Sequence, residues 1–279
     1  MSRAGPTGGS AGRWGDLTRR IVSAAVLLGI GAALAVATGV WLAAAMSVII
    51  AITFWELARL TGWRHPEMHE TPFGTWRPVA LAVMAGAALF VSLTFFDRLA
   101  PLVLLVPIIA GLPGAARGER GVFAVFGLAI LIVGFGLVGF REALGLSFVL
   151  WLVGIVFASD ILGYFAGKML GGPKFWPRLS PKKTWSGTVA GWVGAMLVGL
   201  TVWATGHGSA SLIWISPLVA FAGQLGDIAE SWLKRRAGVK DSSDLIPGHG
   251  GFMDRFDAIC GATLAVLAIS LVTALPQIV

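Results

Sequence analysis

Acidic and basic side chains are concentrated in the C-terminal half of the chain, between residues 160 and 257. Seven of the 14 acids lie there, beside ten lysines and arginines. Carboxylate oxygens bind hard divalent cations, and lysine and arginine bind phosphate oxygens. This segment is therefore predicted to act on phosphate groups.

One acid, Asp160, lies inside a stretch that is otherwise apolar enough to cross a membrane. Helical spacing predicts that it shares a helix face with Gly163, Tyr164, Gly167 and Lys168. The alternative is a structural ion pair with a nearby base. We favour a functional role, because an ionisable group at membrane depth is costly.

A stripe of polar side chains follows near the end of a later apolar segment. Asp227, Glu230, Ser231 and Lys234 recur at helical spacing, so two acids, a hydroxyl and an ammonium group share one face. The alternative is a salt-bridged helix end, and such a pair contributes only about 0.3–0.5 kcal/mol when exposed. It explains Glu230 with Lys234, but not Asp227, which lies a turn deeper.

A glycine-rich loop around His249 comes next, and glycines let backbone amides approach a ligand closely. The loop leads into an apolar segment whose predicted first turn holds Asp254 and Asp257. Aspartate at that place ordinarily caps a helix. Two aspartates on one face, opposite Asp227, better suit a divalent metal completed by substrate phosphates.

The sequence Ser180-Pro181-Lys182-Lys183-Thr184 precedes another apolar segment. It has two interpretations: a positively charged loop with a helix cap at Thr184, or a site where paired lysines neutralise phosphates at headgroup level. Walker A and HExxH motifs do not occur in the sequence.

The composition requires that apolar helices position these groups. Hydrophobic residues make up 56% of the 279 residues, charged residues 13%, and the mean hydropathy is +0.82. This predicts an all-α, polytopic membrane bundle. With a net charge of only +7 and no polar basic domain, nucleic acid is not expected as a partner. Because Cys260 is the single cysteine, a disulfide framework and a cysteine zinc site are excluded.

Apolar stretches of about 20 residues predict nine transmembrane helices. They lie near 21–38, 40–58, 78–96, 99–113, 122–140, 146–167, 185–205, 211–233 and 256–275. We divide the chain into a disordered tail (1–14), N-terminal transmembrane helices (15–145) and a C-terminal catalytic region (146–279).

The basic residues predict the orientation, because lysine and arginine accumulate in cytoplasmic loops. With nine spans, 19 of the 21 fall on one side, leaving only Arg98 and Arg141 opposite. The N-terminus and the polar loops are therefore predicted to be cytoplasmic, in a protein of the cell (inner) membrane.

The ordered motifs of the C-terminal half resemble those of the phosphatidate cytidylyltransferase (CDP-diacylglycerol synthase) family. They are Ser231-Trp232-Leu233-Lys234-Arg235, Lys240-Asp241, Pro247-Gly248-His249-Gly250-Gly251 and Asp254-Arg255-Phe256-Asp257, preceded by Gln224-Leu225-Gly226-Asp227 and Ser180 to Thr184. The resemblance implies transfer of a cytidylyl group from CTP to phosphatidate in the membrane. It also implies a requirement for Mg²⁺, with a second cation as an option, and it is compatible with a homodimer.

The resemblance and the spacing together assign roles to the polar residues. We assign Asp227 and Asp254 to the metal, with Asp257 and Asp160 as further participants. Phosphate groups of the substrates are assigned to Lys234, Arg235, Lys240, His249, Ser180, Lys182, Lys183, Thr184, Ser231 and Arg255.

Two other functions are compatible with a lipid-facing charged site. A CTP-dependent polyprenol or phytol kinase would phosphorylate an alcohol, and its product would carry no cytidine. An ion or solute transporter would place Asp160 and Asp227 on its pathway, but its acids should lie mostly within spans. A CDP-alcohol phosphotransferase is disfavoured, because no aspartate in the chain is followed by glycine.

Overall fold

The structure, a computed structural model, describes residues 11–62, 76–95 and 99–278. The helices of this part are α1 (Ala11–Val36), α2 (Gly39–Leu60), α3 (Trp76–Phe95), α4 (Ala100–Gly111), α5 (Arg120–Leu170), α6 (Trp185–Ala204), α7 (Leu212–Arg236) and α8 (Met253–Ser270). Two short strands, β1 (Lys174–Trp176) and β2 (Ser180–Thr184), lie between α5 and α6. The fold is all-α, as predicted, apart from this one hairpin.

Five of the described helices, α2, α3, α5, α6 and α7, are long and apolar enough to cross a membrane. The apolar parts of α1 and α4 are shorter. Each of the nine predicted spans overlaps a helix, and two of them overlap α5. Of the predicted N-terminal tail, residues 1–10 lie outside the described residues, and residues 11–14 belong to α1.

Helix α5 doubles back at Gly145. A straight helix of 51 residues would be about 75 Å long, more than twice the thickness of a bilayer core. Gly145 has φ 83° and ψ −178°, a backbone conformation that residues other than glycine rarely adopt. Before α5, Glu119 forms an ion pair with Arg236 at the end of α7 (2.8 Å). The last turn of α5, at Lys168, lines the same cavity as Lys234 of α7. Both ends of α5 therefore lie where α7 ends.

The apolar core holds α2 against α5. Phe54, Leu57, Phe123, Leu131 and Leu152 are fully buried, and the rings of Phe54 and Phe123 meet edge to face with centroids 5.6 Å apart. Helical spacing places Phe54 and Leu57 on one face of α2. This packing brings the end of α2 to the end of the bundle where α5 begins.

The hairpin of β1 and β2 leads directly into α6. Lys174 pairs with Thr184, and Trp176 pairs with Ser180, in an antiparallel register. Thr184 then caps α6, since its hydroxyl accepts a hydrogen bond from the amide of Gly187 (3.2 Å). The predicted cap is confirmed. The strands were not predicted, because they are too short to show an alternating pattern.

Candidate active site

A polar cavity of about 700 Å³ opens where α5 and α7 end and where α6 and α8 begin. Five acids and six bases line it: Asp160, Asp227, Asp241, Asp254 and Asp257, with Lys168, Lys174, Lys182, Lys183, Lys234 and Arg255. Acids and bases are thus interleaved around one space. Such a lining suits an anionic substrate together with a cation.

One wall of the cavity is a face of α5. Asp160, Gly163, Tyr164, Gly167 and Lys168 all line it. The prediction that these five residues share a face is therefore confirmed. The face presents a carboxylate and an ammonium group about two turns apart.

Close packing of α7 on α8 brings three carboxylates together. A Cβ at Gly226 would overlap the carbonyl oxygen of Asp257, and a Cβ at Gly261 would overlap the backbone of α7. With both positions occupied by glycine, the two backbones approach closely, as small residues allow in membrane bundles. As a result, one carboxylate oxygen each of Asp227, Glu230 and Asp257 lies within 4.8 Å of the others.

Two lysines pair with acids at the edges of this cluster. The Nζ atom of Lys183 lies 2.5 Å from Oδ2 of Asp227. The Nζ atom of Lys234 lies 2.5 Å from Oε2 of Glu230 and 2.5 Å from Oδ1 of Asp254. Among the described residues, no basic side chain forms an ion pair with Asp257. The acids therefore outnumber the cations that they contact.

Asp254 holds the loop that precedes α8. Its Oδ2 atom accepts hydrogen bonds from the amide of Gly251 (2.7 Å) and from the amide and hydroxyl of Ser242 (3.0 and 3.1 Å). Burial raises the pKa of Asp254, but its contacts with Glu230 and Lys234 and the hydrogen bond from Gly251 outweigh burial. The pKa consequently lies below the ordinary value for aspartate. Asp254 is thus an anion that orients both Lys234 and the loop.

Gln224 joins three helices behind the cavity. Its side-chain oxygen accepts a hydrogen bond from Nε1 of Trp192 (3.0 Å), and its nitrogen donates to Oγ of Ser159 (3.1 Å) and to the carbonyl of Thr188 (3.3 Å). Lys183 also donates to its backbone carbonyl (3.4 Å). This network fixes α7 relative to α5 and α6, one turn before Asp227.

Most of the predicted site residues line the cavity. They are Asp160, Lys182, Lys183, Thr184, Asp227, Lys234, Asp254, Arg255 and Asp257. Elements far apart in sequence supply them, namely α5, β2, α7 and α8.

Five predicted residues do not line the cavity. They are Ser180, Ser231, Arg235, Lys240 and His249. Ser231 contacts Asp227 at 3.5 Å, and Arg235 donates to the carbonyl of Val239 (3.2 Å). The backbone carbonyl of His249 accepts a hydrogen bond from Arg255 (2.7 Å). The substrate contacts assigned to these five residues stay predictions.

Two acids of this region were not assigned to the site from the sequence. Glu230 was explained by its pair with Lys234; that pair exists, and Glu230 also belongs to the carboxylate cluster. Glu56 of α2 accepts hydrogen bonds from the amides of Phe252 and Met253 (2.9 and 2.6 Å). The signal was available in the sequence, since Glu56, like Asp160, is a lone acid in an apolar stretch.

Comparison with known proteins identifies relatives along nearly the whole chain. The model of the cytidylyltransferase family matches residues 18–273. A phosphatidate cytidylyltransferase of Pseudomonas aeruginosa is 32% identical over 258 residues, which are 88% of this chain and 94% of that protein. The proteins of the same name from Brucella abortus and Staphylococcus aureus (strain COL) are 40% and 37% identical over 139 and 143 residues.

The extent of the matches differs between relatives. The matched region is 49% of this chain for the Brucella protein and 47% for the Staphylococcus protein, and the chain spans about half the length of each, 52%. The family model, in contrast, includes all the cavity residues named above. The resemblance seen in the sequence motifs is confirmed, and the chain belongs to the cytidylyltransferase family.

Proposed function

We propose that the protein transfers the cytidylyl group of CTP to phosphatidate, forming CDP-diacylglycerol and pyrophosphate. The observation that carries the proposal is the cavity of interleaved carboxylates and lysines at the end of an apolar bundle. The relatives named phosphatidate cytidylyltransferase support the choice of substrates.

The chemistry needs charge neutralisation more than proton transfer. A phosphate monoester has a second pKa near 6, so phosphatidate is largely a dianion at neutral pH and attacks without a general base. One of its oxygens forms a bond to the α-phosphorus of CTP, and the bond from that phosphorus to the bridging oxygen breaks. Pyrophosphate leaves with the electron pair. The obstacle is repulsion between two polyanions, and phosphoryl transfer is catalysed mainly by positioning and electrostatics.

The carboxylate cluster fits a divalent cation. Asp227, Glu230 and Asp257 each offer one carboxylate oxygen, and these oxygens lie within 4.8 Å of one another. Oxygen ligands are the kind that Mg²⁺ and Ca²⁺ prefer. These residues would hold Mg²⁺, which would neutralise phosphate charge when bound. Asp254, predicted as a ligand, already accepts hydrogen bonds on both oxygens, and we propose that it orients Lys234. Its metal role stays a prediction, as does that of Asp160.

Basic residues on the other walls would bind the phosphates. Lys182 and Lys183 come from β2, and Lys168 from the end of α5. Exposed apolar residues adjoin Lys168 on α5, including Met169 and Leu170 (81% and 74% exposed). A lipid substrate can therefore present its headgroup to the cavity while its acyl chains stay in the bilayer.

The orientation of the protein follows from the same proposal. The cavity would face the cytoplasm, because the basic loops that border it are predicted to lie on that side of the cell membrane. With nine spans and a cytoplasmic N-terminus, 19 of the 21 basic residues lie on the cytoplasmic side and two lie on the other, and this asymmetry supports the arrangement. Residues 146–279 would then form the catalytic region, with residues 15–145 packed beside it.

Product analysis tests the proposal. Purified protein is mixed with CTP, Mg²⁺ and phosphatidate in detergent micelles, and the lipid fraction is analysed by mass spectrometry. We expect a lipid that contains cytidine, with one pyrophosphate released for each lipid formed. In a parallel reaction a polyprenol replaces phosphatidate, and formation of a phosphorylated lipid without cytidine there would indicate a lipid kinase instead.

A further inference from the structure

Glu56 is a fully buried acid in the apolar helix α2 (0% exposed). Its Oε1 atom accepts hydrogen bonds from the hydroxyl of Ser243 (2.5 Å) and the amide of Phe252 (2.9 Å), and its Oε2 atom accepts one from the amide of Met253 (2.6 Å). A buried carboxylate is costly unless such bonds replace its hydration. The three donors belong to residues that follow Glu56 by nearly 200 positions. These hydrogen bonds therefore join α2 to a part of the chain that is distant in sequence.

The donors identify what Glu56 does for α8. Phe252 is the N-cap residue of α8 and Met253 is its first residue, and the side chain of Phe252 provides no capping hydrogen bond. The first amides of a helix have no partner within it, and a negative charge there is favourable because of the helix dipole. Glu56 thus supplies from α2 the cap that the sequence of α8 lacks.

The same carboxylate also fixes the loop before α8. Ser243, which donates to Glu56, is adjacent to Ser242, which donates to Asp254. A Cβ at Gly251 would overlap both Oε1 of Glu56 and the hydroxyl of Ser242. The loop therefore packs directly against Glu56.

The next residue after this anchor belongs to the cavity. Asp254 follows Met253 directly and holds Lys234 (2.5 Å), and Asp257 lies one turn further along α8. A small rotation or shift of the start of α8 would move both carboxylates relative to Asp227 on α7. The reacting groups must be held to well within an ångström, because small misplacements slow a reaction severely.

We propose that Glu56 is a positioning residue: it anchors the start of α8 and the preceding loop, so that Asp254 and Asp257 face the acids and Lys234 of α7. The catalytic part of this inference rests on the proposed function, whereas the structural part does not. No contact between Glu56 and a substrate is required.

The test compares Glu56→Gln with Glu142→Gln. Glu142 is a matched control, because its Oε1 atom also accepts a helix N-terminal amide, that of Gly39 (2.7 Å), but this amide belongs to α2 and not to α8. Hydrogen exchange is measured on a peptide covering residues 249–256. In Glu56→Gln, exchange in this peptide should be at least 10-fold faster than in the wild type, and in Glu142→Gln it should be unchanged.

Steady-state kinetics provide the second readout. In Glu56→Gln the Mg²⁺ concentration for half-maximal rate should rise about 10-fold, together with a fall in kcat. That concentration does not depend on how much of the protein is folded, so a loss of folded protein alone would leave it unchanged. Ser243→Ala removes only one of the three hydrogen bonds, and it should produce the same changes to a smaller extent.

Each outcome decides the inference. Wild-type exchange in residues 249–256 of folded Glu56→Gln would overturn it, as would an unchanged Mg²⁺ dependence. If Glu56→Gln does not fold, Ser243→Ala decides by the same two measurements. A wild-type protein that does not turn over would contradict the proposed function, whereas the exchange measurement would still test the anchor.

Discussion

The Nζ atom of Lys183 lies 2.5 Å from Oδ2 of Asp227, so the hairpin before α6 is joined to α7 across the cavity. Both side chains are partly exposed, 24% and 31%. The pair therefore borders the space that a substrate would enter. Lys183 is the basic residue that best links the predicted phosphate motif to the carboxylate cluster.

The first prediction concerns this lysine. Lys183→Gln removes a positive charge from the cavity, and we expect kcat to fall by about 10²-fold, as when one group that stabilises developing charge is lost. Arg178→Gln is the control, because Arg178 lies in the same hairpin but does not line the cavity. Turnover is measured at saturating CTP for both variants. Equal activity of Lys183→Gln and Arg178→Gln would contradict the prediction. The lysines of Ser180 to Thr184 would then be explained by membrane topology alone.

The second prediction concerns the carboxylate cluster. Asp227→Asn and Asp257→Asn each remove a charged oxygen ligand, and both should raise the Mg²⁺ concentration for half-maximal rate and abolish most turnover. Asp244 is exposed and lies outside the cavity lining, so Asp244→Asn should be near normal. Near-normal turnover of either cluster variant would refute the metal assignment.

Within the second prediction, a further variant, Asp254→Asn, separates two roles for Asp254. Asp254 does not cap α8, as the sequence alternative had it, but accepts hydrogen bonds from the amides of Gly251 and Ser242 in the preceding loop. Asparagine keeps an oxygen that can accept them, so a role limited to the loop predicts little change. Because Asp254 also forms an ion pair with Lys234, we expect a clear loss of turnover in the folded variant. An unchanged rate would leave Asp254 with its hydrogen bonds to the loop alone.

The third prediction concerns the approach of α7 to α8. In Gly226→Ala the new methyl group meets the carbonyl of Asp257, and overpacking of this kind costs about 1–3 kcal/mol. The thermal unfolding temperature and turnover should both fall. A Cβ at Gly139, in α5, would meet no atom within 4 Å, so Gly139→Ala should leave stability unchanged or improve it by up to about 1 kcal/mol. Equal melting temperatures of Gly226→Ala and Gly139→Ala would contradict the close approach of α7 to α8.

The sequence predicted the local parts of this structure well. Helical spacing correctly placed the five residues of the α5 face, because periodicity depends only on neighbours in the chain. The break of α5 at Gly145 agrees with the gap between the predicted spans 122–140 and 146–167.

The long-range parts could not be predicted in the same way. The contact between Glu56 and Met253 depends on which apolar faces pack together, and apolar periodicity does not specify the partner of a face. The carboxylate cluster was predicted in part, since Asp227 and Asp257 were expected at one metal site. The membership of Glu230 was missed, because it depends on the close backbone approach at Gly226, which the sequence shows only as a small residue.

The fourth prediction concerns topology. In a Cys260→Ala background, cysteines introduced at Asp244 and at Ser209 should be labelled from opposite sides of a sealed vesicle, with Asp244 on the cytoplasmic side. Both positions are exposed, whereas Ser242 is only 5% exposed and is unsuitable for labelling. Labelling of both cysteines from one side would contradict the proposed arrangement of spans.

Positional labelling of CTP tests the central claim most directly. Purified protein, Mg²⁺ and phosphatidate are incubated with CTP labelled at the α-phosphorus or, in a parallel reaction, at the γ-phosphorus, and label in the lipid phase is counted. Cytidylyl transfer predicts that only the α label enters the lipid and that Asp227→Asn abolishes its entry. Entry of the γ label, or no entry of either label with wild-type protein, would contradict the account.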